Sequence, residues 1–344
     1  MRAAIVESAG VITVTDLPSV EAAPDRVVVA PLFVGLCGSD LSYFRTGANG
    51  AFVIREPLVL GHEVTGVVTA VGAEVTTGVS VGDTVVVHPL WPSPPAGHTA
   101  VPPEFADDAV SFLGSASTNP HTMGGLAEAL QVRAEQLHPV PAGLPATRAT
   151  LAEPLSVVLH ALHPQRDAIA GAAVLVCGAG PIGLLTVVAL RRLGAARIVV
   201  TDLHERPLAI AVRLGADAAL RVSVDAPPAA ETFDLAVEAT GAAASLDVAL
   251  DALRVGGTLV QLGMLSRDGV TAKLGMLVVK ELSMVGSHRF SGELDEAITL
   301  LADAPECDEI ITAVVPLENV RDALDQAGDS RLTSKVLVSV NAAD

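Results

Sequence analysis

Apolar positions recur with two different periods along the chain, and the change of period divides it into regions. From residue 1 to about 150, short apolar runs alternate with turn residues. Runs rich in Val and Thr and bounded by Gly and Pro predict the strands of an all-β unit. The predicted strands are Arg2–Val6, Val11–Thr15, Arg26–Leu32, Val64–Val71 and Thr84–Val87.

From about residue 150 to 283 the pattern changes to alternating strands and helices, which predicts a parallel, doubly wound sheet. After about residue 284 two amphipathic helices and a closing strand follow, and we expect that strand to join the first unit. We therefore predict domains at 1–149 and 150–283, with 284–344 returning to the first domain. The predicted strands of the middle region are Ala173–Cys177, Arg197–Thr201, Asp234–Glu238 and Gly257–Leu262. The predicted helices are one ending near Leu193, Leu208–Gly215, Glu293–Ala302 and Leu317–Ala327, and the closing strand is Lys335–Val340.

Composition and charge exclude several classes of protein. Half of the 344 residues are apolar, 17% are charged and the net charge is −18, a globular composition that would repel nucleic-acid phosphates. The longest apolar stretches, such as 184–190, are too short to span a membrane. The N-terminus lacks the pattern of a signal peptide, and three scattered cysteines make no disulfide framework. We expect a cytoplasmic protein without nucleic-acid or membrane partners.

A glycine-rich turn after the strand Ala173–Cys177 predicts a dinucleotide site. The turn reads Gly178-Ala179-Gly180-Pro181-Ile182-Gly183 and opens a helix, and Asp202 stands 24 residues after its first glycine. In this context the glycines permit a tight turn, backbone approach to a pyrophosphate and helix–strand packing. Asp202 would accept hydrogen bonds from the adenosine ribose and repel a 2′-phosphate, which favours NAD. Arg206 keeps NADP open as the alternative.

Three side chains of the first region and one at the start of the second are candidate metal ligands. They are Cys37, His62, Glu63 and Glu153. A thiolate, an imidazole and a carboxylate suit a catalytic zinc that keeps one position open. By residue type alone, a buried core thiol and a loop histidine would account for the same residues, so the local context must decide.

That context resembles a known family. The two stretches Gly35-x-Cys37-Gly38-Ser39-Asp40-Leu41 and Gly61-His62-Glu63-x2-Gly66-x-Val68 resemble the signatures of the zinc-dependent medium-chain alcohol and polyol dehydrogenases. The resemblance implies an α/β protein with a GroES-like β-rich catalytic domain and a Rossmann domain with a doubly wound parallel sheet. It also implies an enzyme that transfers hydride from a secondary alcohol to NAD.

The same resemblance assigns roles around the metal. Cys37 and His62 would bind zinc together with Glu63 or Glu153, and which glutamate is the ligand stays open. The implied mechanism makes both glutamates candidate catalytic residues as well.

Proton transfer depends on residues that follow Cys37. By resemblance, the hydroxyl of Ser39 begins a proton relay, and Asp40 hydrogen-bonds the ligand His62. Where the family often has a histidine that completes the relay, this chain has Ser42, so the route beyond Ser39 is open.

Many family members hold a second, structural zinc with four cysteines in the Pro-rich segment 88–120. The corresponding positions here are Ser93, Ala96, Thr99 and Asp107. Because none of them supplies a thiolate, we predict one catalytic zinc per chain and no structural zinc.

Glu153, in place of a further cysteine ligand, points to the polyol branch of the family. Longer stretches resemble most the enzymes that oxidise L-idonate, and next those that oxidise sorbitol. Candidate substrate residues are Tyr43, His121 and Arg289. A sugar-acid carboxylate calls for a cation, and Arg289 is preferred over Arg45 and Arg55 because the family places an arginine there.

Three alternatives and an assembly state complete the predictions. The alternatives are sorbitol or L-iditol oxidation, a zinc-independent reductase of the same fold, and a non-catalytic nucleotide-binding protein. The apolar run 276–279 and the strand Thr258–Leu262 are expected at the end of the cofactor sheet. An apolar sheet edge needs covering, which predicts a homodimer or homotetramer.

Overall fold

The structure is a computed structural model that describes residues 1–76, 78–91 and 111–342. The chain divides into two compact units, each made from more than one stretch of sequence. The first unit comprises Met1–Glu153, Leu294–Asp329 and the stretch from Lys335 onward, and the second comprises Pro154–Glu293 and Ser330–Ser334. The domain boundaries after residues 149 and 283 stay a prediction.

Strands dominate the first unit, and strands and helices alternate in the second. In chain order the strands are β1 Arg2–Ser8, β2 Val11–Asp16, β3 Val27–Gly35, β4 Ala48–Asn49, β5 Phe52–Val53, β6 Leu58–Val59, β7 Glu63–Val71, β8 Thr84–Val87, β9 Leu90–Trp91, β10 Ser111–Phe112, β11 Leu130–Val132, β12 Leu137–Pro139, β13 Ala173–Cys177, β14 Arg197–Asp202, β15 Ala218–Arg221, β16 Phe233–Glu238, β17 Leu253–Gln261, β18 Ser283–Gly286, β19 Ile311–Pro316 and β20 Lys335–Ser339. The α-helices are α1 Gly38–Thr46, α2 Ala146–Ala149, α3 Ala152–Leu162, α4 Arg166–Ile169, α5 Pro181–Arg192, α6 Glu205–Arg213, α7 Ala243–Ala252, α8 Gly275–Val279, α9 Leu294–Ala302 and α10 Val320–Ala327. Short 3₁₀ helices cover Ala134–Gln136, His163–Gln165, Pro305–Ile310 and Leu317–Asn319.

The main sheet of the first unit runs in the order β12-β8-β7-β3-β20-β19, and β11 also pairs with β3. The long antiparallel pair of β3 and β7 brings Gly35 opposite Glu63. β20 pairs antiparallel with β3, so the predicted addition of the closing strand to the first unit is confirmed. Valines and leucines from these strands, with Tyr43 and Phe44 of α1, form one buried cluster. The sheet therefore fixes the positions from which the candidate metal ligands project.

The second unit contains a parallel sheet in the order β15-β14-β13-β16-β17-β18. This is the doubly wound Rossmann order: β13, β14 and β15 follow one another towards one side of the sheet, and β16, β17 and β18 towards the other. Such sheets bind ligands at the carboxyl ends of the strands where the strand order reverses, here between β13 and β16. One expectation needs correction. The strand predicted at Thr258–Leu262 is β17, which lies one position inside the sheet, because β18 pairs with it and forms the edge.

Some predicted elements are confirmed with their bounds, and others begin or end at different residues from those predicted. Thr84–Val87 and Ala173–Cys177 are strands with the predicted ends. The predicted helix Leu317–Ala327 begins instead as a 3₁₀ turn and becomes α-helical only at Val320. No helix within the described ranges has the length and apolar character that crossing a bilayer requires.

Candidate metal and cofactor sites

Three of the four predicted metal ligands come together in the first unit. The Sγ of Cys37, a ring nitrogen of His62 and a carboxylate oxygen of Glu63 lie within 4.8 Å of one another. Cys37 stands between β3 and α1, and Glu63 opens β7. His62 and Glu63 are buried. Pairing of β3 with β7 thus brings together residues that are 25 positions apart in the chain.

Gly35 is the residue that allows this approach. It pairs with Glu63 across the two strands. A Cβ atom built on Gly35 would lie 3.0 Å from Cδ of Glu63 and would overlap its carboxylate. Any side chain at position 35 would therefore displace the carboxylate of Glu63 from its place in the cluster.

Asp40 joins the two halves of the site, although not in the predicted way. Its carboxylate accepts hydrogen bonds from the backbone N–H groups of Cys37, at 2.9 Å, and Gly61, at 3.2 Å. The distance from Asp40 Oδ1 to His62 Nδ1 is 3.8 Å, which is too long for the hydrogen bond that we expected. The carboxylate is occupied by the two backbone amides, so it holds the loops together and acts on His62 through its charge.

Lys335 is a residue of the site that the sequence analysis missed. Its Nζ donates to both carboxylate oxygens of Glu63, at 2.7 and 2.8 Å, and to the carbonyl oxygen of Leu36 at 3.1 Å. Both partners are almost fully buried. The available signal was a lysine at the start of an otherwise apolar closing strand, because a charge buried in such a strand needs a partner.

Glu153, the fourth predicted ligand, is buried at the start of α3 but lies outside the cluster of three. Burial raises the pKa of its carboxyl to about 7, the His62 imidazolium opposes this rise, and Glu63 adds to it. A carboxyl whose pKa is about 7 can exchange between its protonated and ionised forms near neutral pH at little cost in free energy. The alternative between Glu63 and Glu153 as zinc ligand therefore stays open.

The charges around His62 test whether these residues suit a cation. Burial alone would lower the pKa of the imidazole, but Asp40, Cys37 and Glu153 together raise it to about 10. The cluster thus has a surplus of acidic groups that a positive charge must balance, and a protonated His62 supplies that charge in the metal-free chain. Thiolate, imidazole and carboxylate donors within this space fit a zinc ion.

The two serines predicted near the proton route differ in their surroundings. Ser39 is half-buried in the first turn of α1, two residues after Cys37. The hydroxyl of Ser42 donates to the carbonyl oxygen of Ala48 at 2.7 Å. The role of Ser39 as the first proton acceptor stays a prediction.

Two predicted substrate residues have their polar groups engaged within the protein. Tyr43 is buried, and its hydroxyl lies 3.2 Å from Ser115 Oγ and accepts from the N–H of Ala116 at 3.1 Å. His121 is buried, with Nδ1 on the carbonyl oxygen of Thr118 at 2.8 Å and Nε2 accepting from the N–H of Arg55 at 2.9 Å. Both ring nitrogens of His121 are bonded to backbone groups, which favours a structural role in this loop over contact with substrate.

The arginine candidates lie in different environments. The side chains of Arg45 and Arg55 are exposed on the first unit. Arg289 lies in the second unit after β18, half-buried and with φ +60°. A non-glycine residue in that left-handed region costs about 1 kcal/mol or more, and such strain is concentrated at functional sites.

Phe112 is another residue beside the metal cluster that the sequence analysis did not identify. The ring of Phe112 lies 5.2 Å from that of His62, centroid to centroid, at a tilt of 52°. Phe112 ends the short strand β10, directly after the segment 92–110 that lies outside the described residues. The four positions of the structural-zinc prediction, Ser93, Ala96, Thr99 and Asp107, fall in that segment.

In the second unit the glycine-rich turn has the geometry of a dinucleotide site. Gly178 has φ +102°, a conformation that favours glycine. A Cβ on Gly183 would overlap the carbonyl oxygen of Gly178, whereas one on Gly180 would meet no heavy atom within 4 Å. Pro181 and Ile182 then open α5, with Gly180 as the residue before its first turn. The turn leaves open space where a pyrophosphate would approach the helix N-terminus.

Asp202 ends β14 beside this turn. Its Oδ2 accepts from the N–H of Ala179 at 2.8 Å, and its Oδ1 accepts from the N–H of His204 at 2.9 Å. The carboxylate therefore also holds the glycine-rich turn in place. Arg206 is exposed in the first turn of α6.

Comparison with known proteins agrees with this geometry. Residues 23–142 match the family model described as alcohol dehydrogenase GroES-like domain, and residues 181–303 match that described as zinc-binding dehydrogenase. The chain is 36% identical over 313 residues to the L-idonate 5-dehydrogenase (NAD(P)(+)) of Escherichia coli strain K12, covering 88% of each chain. It is 31% identical over 331 residues to the sorbitol dehydrogenase of Homo sapiens, covering 93% of this chain and 91% of the relative. The crystal structure of Escherichia coli L-idonate 5-dehydrogenase superposes with a TM-score of 0.87 at 31% identity, covering 98% of this chain and 97% of that one.

The chain therefore belongs to the zinc-dependent medium-chain dehydrogenases. It is an oxidoreductase that acts on CH–OH donors with zinc and NAD(P) as cofactors, and the predicted fold class is confirmed. Within the family its relatives are polyol and sugar-acid dehydrogenases.

Proposed function

We propose that the chain oxidises the secondary hydroxyl of a sugar acid, L-idonate to 5-keto-D-gluconate, and prefers NAD to NADP. The observation that carries this proposal is the similarity to L-idonate 5-dehydrogenase over 88% of the chain. The strained Arg289 supports it, because a guanidinium pairs well with a carboxylate that a neutral polyol lacks. Sorbitol or L-iditol is the second candidate, on the similarity to sorbitol dehydrogenase.

The residues of the first unit then have distinct tasks. Cys37, His62 and one of the two glutamates would hold the zinc, which lowers the pKa of a substrate hydroxyl. Lys335 holds Glu63 through both carboxylate oxygens and so limits its movement. Because Lys335 restrains Glu63 in this way, Glu153 is the alternative candidate for the third zinc ligand.

The reaction balances as a two-electron oxidation. The carbinol carbon gives a hydride to NAD, and the hydroxyl gives its proton to Ser39 and from there to solvent, which leaves a ketone, NADH and a proton. Asp40 keeps the backbone of Cys37 and Gly61 together, so that the loops that carry the ligands stay in register. The ring of Phe112 covers one side of His62 and limits access of water.

Assembly and location complete the proposal. Val278 and Val279 of α8, the helix that precedes the edge strand β18 in the chain, are 81% and 75% exposed, and a two-fold partner would cover these apolar side chains. We therefore propose a homodimer or homotetramer. The three cysteines are free, which suits the reducing cytoplasm in which we propose that the enzyme works.

A substrate panel tests the function directly. NADH formation is measured with L-idonate, sorbitol and L-iditol, each with NAD and with NADP. We expect the highest kcat/KM with L-idonate and NAD. A higher kcat/KM with sorbitol would support the second candidate, and absence of turnover with all three alcohols would contradict both candidate substrates.

A paired substitution tests carboxylate recognition. Arg289→Ala should lower kcat/KM for L-idonate by about tenfold or more and change kcat/KM for L-iditol little, because only the acid loses a charge partner. Arg55→Ala, which removes an exposed arginine of the first unit, is the matched control. Equal losses on the acid and the neutral polyol would remove the case for carboxylate binding by Arg289.

A further inference from the structure

A buried carboxylate in the second unit has no part in the functions assigned so far. Glu238 ends β16 and is fully buried. Its Oε1 accepts from the N–H of Thr240 at 2.8 Å and from the hydroxyl of the same residue. Its Oε2 accepts from the N–H of Gly241 at 3.0 Å and from the side-chain amide of Gln261 at 2.5 Å. Four donors thus converge on one acceptor group.

Through Gln261 this carboxylate connects two loops. Gln261 ends β17, the neighbouring strand, and its Nε2 also donates to the carbonyl oxygen of Gly263 at 2.7 Å. Both amide hydrogens of Gln261 are therefore used, which fixes the direction of its side chain. The loop after β16 and the loop after β17 are held to each other by Glu238.

Glycines allow the same two loops to touch. Gly241 has φ +71°, and a Cβ there would lie 2.5 Å from the carbonyl oxygen of Met264. A Cβ on Gly263 would lie 2.5 Å from Oε2 of Glu238. The contact between the loops is therefore as close as backbone allows, and it leaves Thr240, Ala242 and Met264 exposed.

The position of these loops relates them to the cofactor. They follow β16 and β17 at the carboxyl edge of the sheet, beside the point where strand order reverses. The first loop lies against the glycine-rich turn, because a Cβ on Gly178 would be 2.7 Å from Cγ2 of Thr240. In a doubly wound sheet each half binds one mononucleotide. Asp202 belongs to the adenosine half, so the loops after β16 and β17 belong to the nicotinamide half.

We propose that Glu238 is a positioning residue that holds the loops 239–242 and 262–264 in the arrangement that receives the nicotinamide half of the cofactor. All four of its partners are donors, so only a group that accepts at both oxygens satisfies them. An amide in its place would direct its own N–H groups at two donors and leave them unsatisfied. The proposal rests on the family's nicotinamide cofactor and is independent of which alcohol is the substrate.

Two titrations without any alcohol substrate test it. The variant Glu238→Gln keeps the size of the side chain and removes half of its acceptor capacity. Affinity is measured for NADH, which spans both halves of the site, and for AMP, which occupies only the adenosine half. We expect the Kd of NADH to rise about tenfold and the Kd of AMP to stay within twofold of the wild-type value.

Asp234→Asn is the matched control. Asp234 lies at the amino end of the same strand, and its carboxylate accepts from the N–H of Ala173 at 2.7 Å and from Arg254 at 2.5 Å. It faces the edge of the sheet where ligands do not bind. We expect this variant to leave the Kd values of NADH and AMP unchanged.

Unchanged NADH affinity in Glu238→Gln would overturn the proposal, and so would equal losses of NADH and AMP affinity, which would mean that Glu238 supports the whole unit. If Glu238→Gln does not fold, Gln261→Leu, which removes one of the four donors, is judged by the same criteria. Its control is Gln165→Leu, at a half-buried residue in the 3₁₀ helix His163–Gln165 of the second unit. A chain that oxidises none of the alcohols in the panel can still show the expected difference between NADH and AMP. Failure of the proposed function is therefore distinguishable from failure of this inference.

Discussion

The two sites of this molecule are built in opposite ways. The metal cluster draws Cys37, His62, Glu63 and Lys335 from distant parts of the sequence, and strand pairing brings them together. The cofactor turn is one continuous run, residues 178–183, joined by Asp202. A dispersed site depends on the register of the sheet and on buried charges, whereas a continuous turn depends on local backbone geometry. Damage to one site should therefore leave the other intact.

The largest expected effect comes from removing a metal ligand. Cys37→Ala deletes the thiolate of the cluster, and loss of several kcal/mol of charge stabilisation should lower kcat/KM by about a thousandfold or more. NADH affinity should change less than twofold. Cys307→Ala, at a buried cysteine of the first unit outside the cluster, is the control. Turnover of Cys37→Ala within tenfold of wild type would contradict the assignment.

The second-largest expected effect comes from breaking the buried ion pair between Lys335 and Glu63. Lys335→Met leaves the carboxylate of Glu63 buried without its charge partner, which should lower the free energy of unfolding by about 3–5 kcal/mol. Denaturant unfolding followed on the metal-free protein measures this loss. The double variant Lys335→Met with Glu63→Gln should recover most of it, because no unpaired charge remains. A loss below about 1 kcal/mol in the single variant would show that Glu63 finds other partners.

The raised pKa of His62 predicts how zinc affinity depends on pH. Because the folded metal-free chain holds the imidazole protonated up to about pH 10, zinc must release that proton on binding. Zinc affinity, measured by competition with a chelator of known pH dependence, should therefore rise about tenfold per pH unit between pH 6.5 and 8.5. A zinc affinity that does not change with pH would contradict a protonated His62 in the metal-free chain.

The raised pKa of His62 also makes the stability of the metal-free chain depend on pH. The folded pKa of His62 lies above its unfolded value near 6.5, so the charged imidazole stabilises the fold fully below that pH. This contribution is lost as the pH rises through about 10.

A pair of glycine substitutions separates fold from ligand approach in the cofactor turn. Gly183→Ala should lower both the melting temperature and the NADH affinity, because its Cβ would overlap the backbone of Gly178. Gly180→Ala should lower the NADH affinity by about tenfold without a change in melting temperature, because its Cβ meets only the space for the pyrophosphate. Equal melting losses for the two variants would contradict this division.

The smallest expected effect concerns the choice of cofactor. Asp202→Asn keeps an acceptor for only one of the N–H groups of Ala179 and His204, and it removes the charge that repels a 2′-phosphate. The ratio of kcat/KM for NADP to that for NAD should rise by about tenfold. No change in this ratio would mean that His204 or Arg206 already determines cofactor recognition.

The difference between the sites also decides how much the sequence alone could predict. The strand Ala173–Cys177 and the turn after it could be predicted with their bounds, because the signals for both are local. In the first unit the ligand types were visible, but the partner of Glu63 was not. Lys335 lies 272 residues from Glu63, and only the pairing of β20 with β3 makes it a neighbour.

Charge and hydrogen-bond competition explain the other departures. Asp40 was expected to bond His62, yet two backbone amides take its oxygens. Tyr43 and His121 were candidate substrate residues, yet the polar groups of both are bonded to other residues of the first unit. Glu238 escaped notice because a glutamate at a strand end gives no local signal that four donors will converge on it.

Because the metal site and the cofactor site are built so differently, we expect them to work independently of each other. Zinc content and NADH affinity, measured on the same preparation before and after chelation, test it most directly. We expect one zinc per chain that chelation removes, complete loss of alcohol oxidation, and an NADH Kd that changes less than twofold. Two tightly held zinc ions per chain, or loss of NADH binding together with the metal, would contradict it.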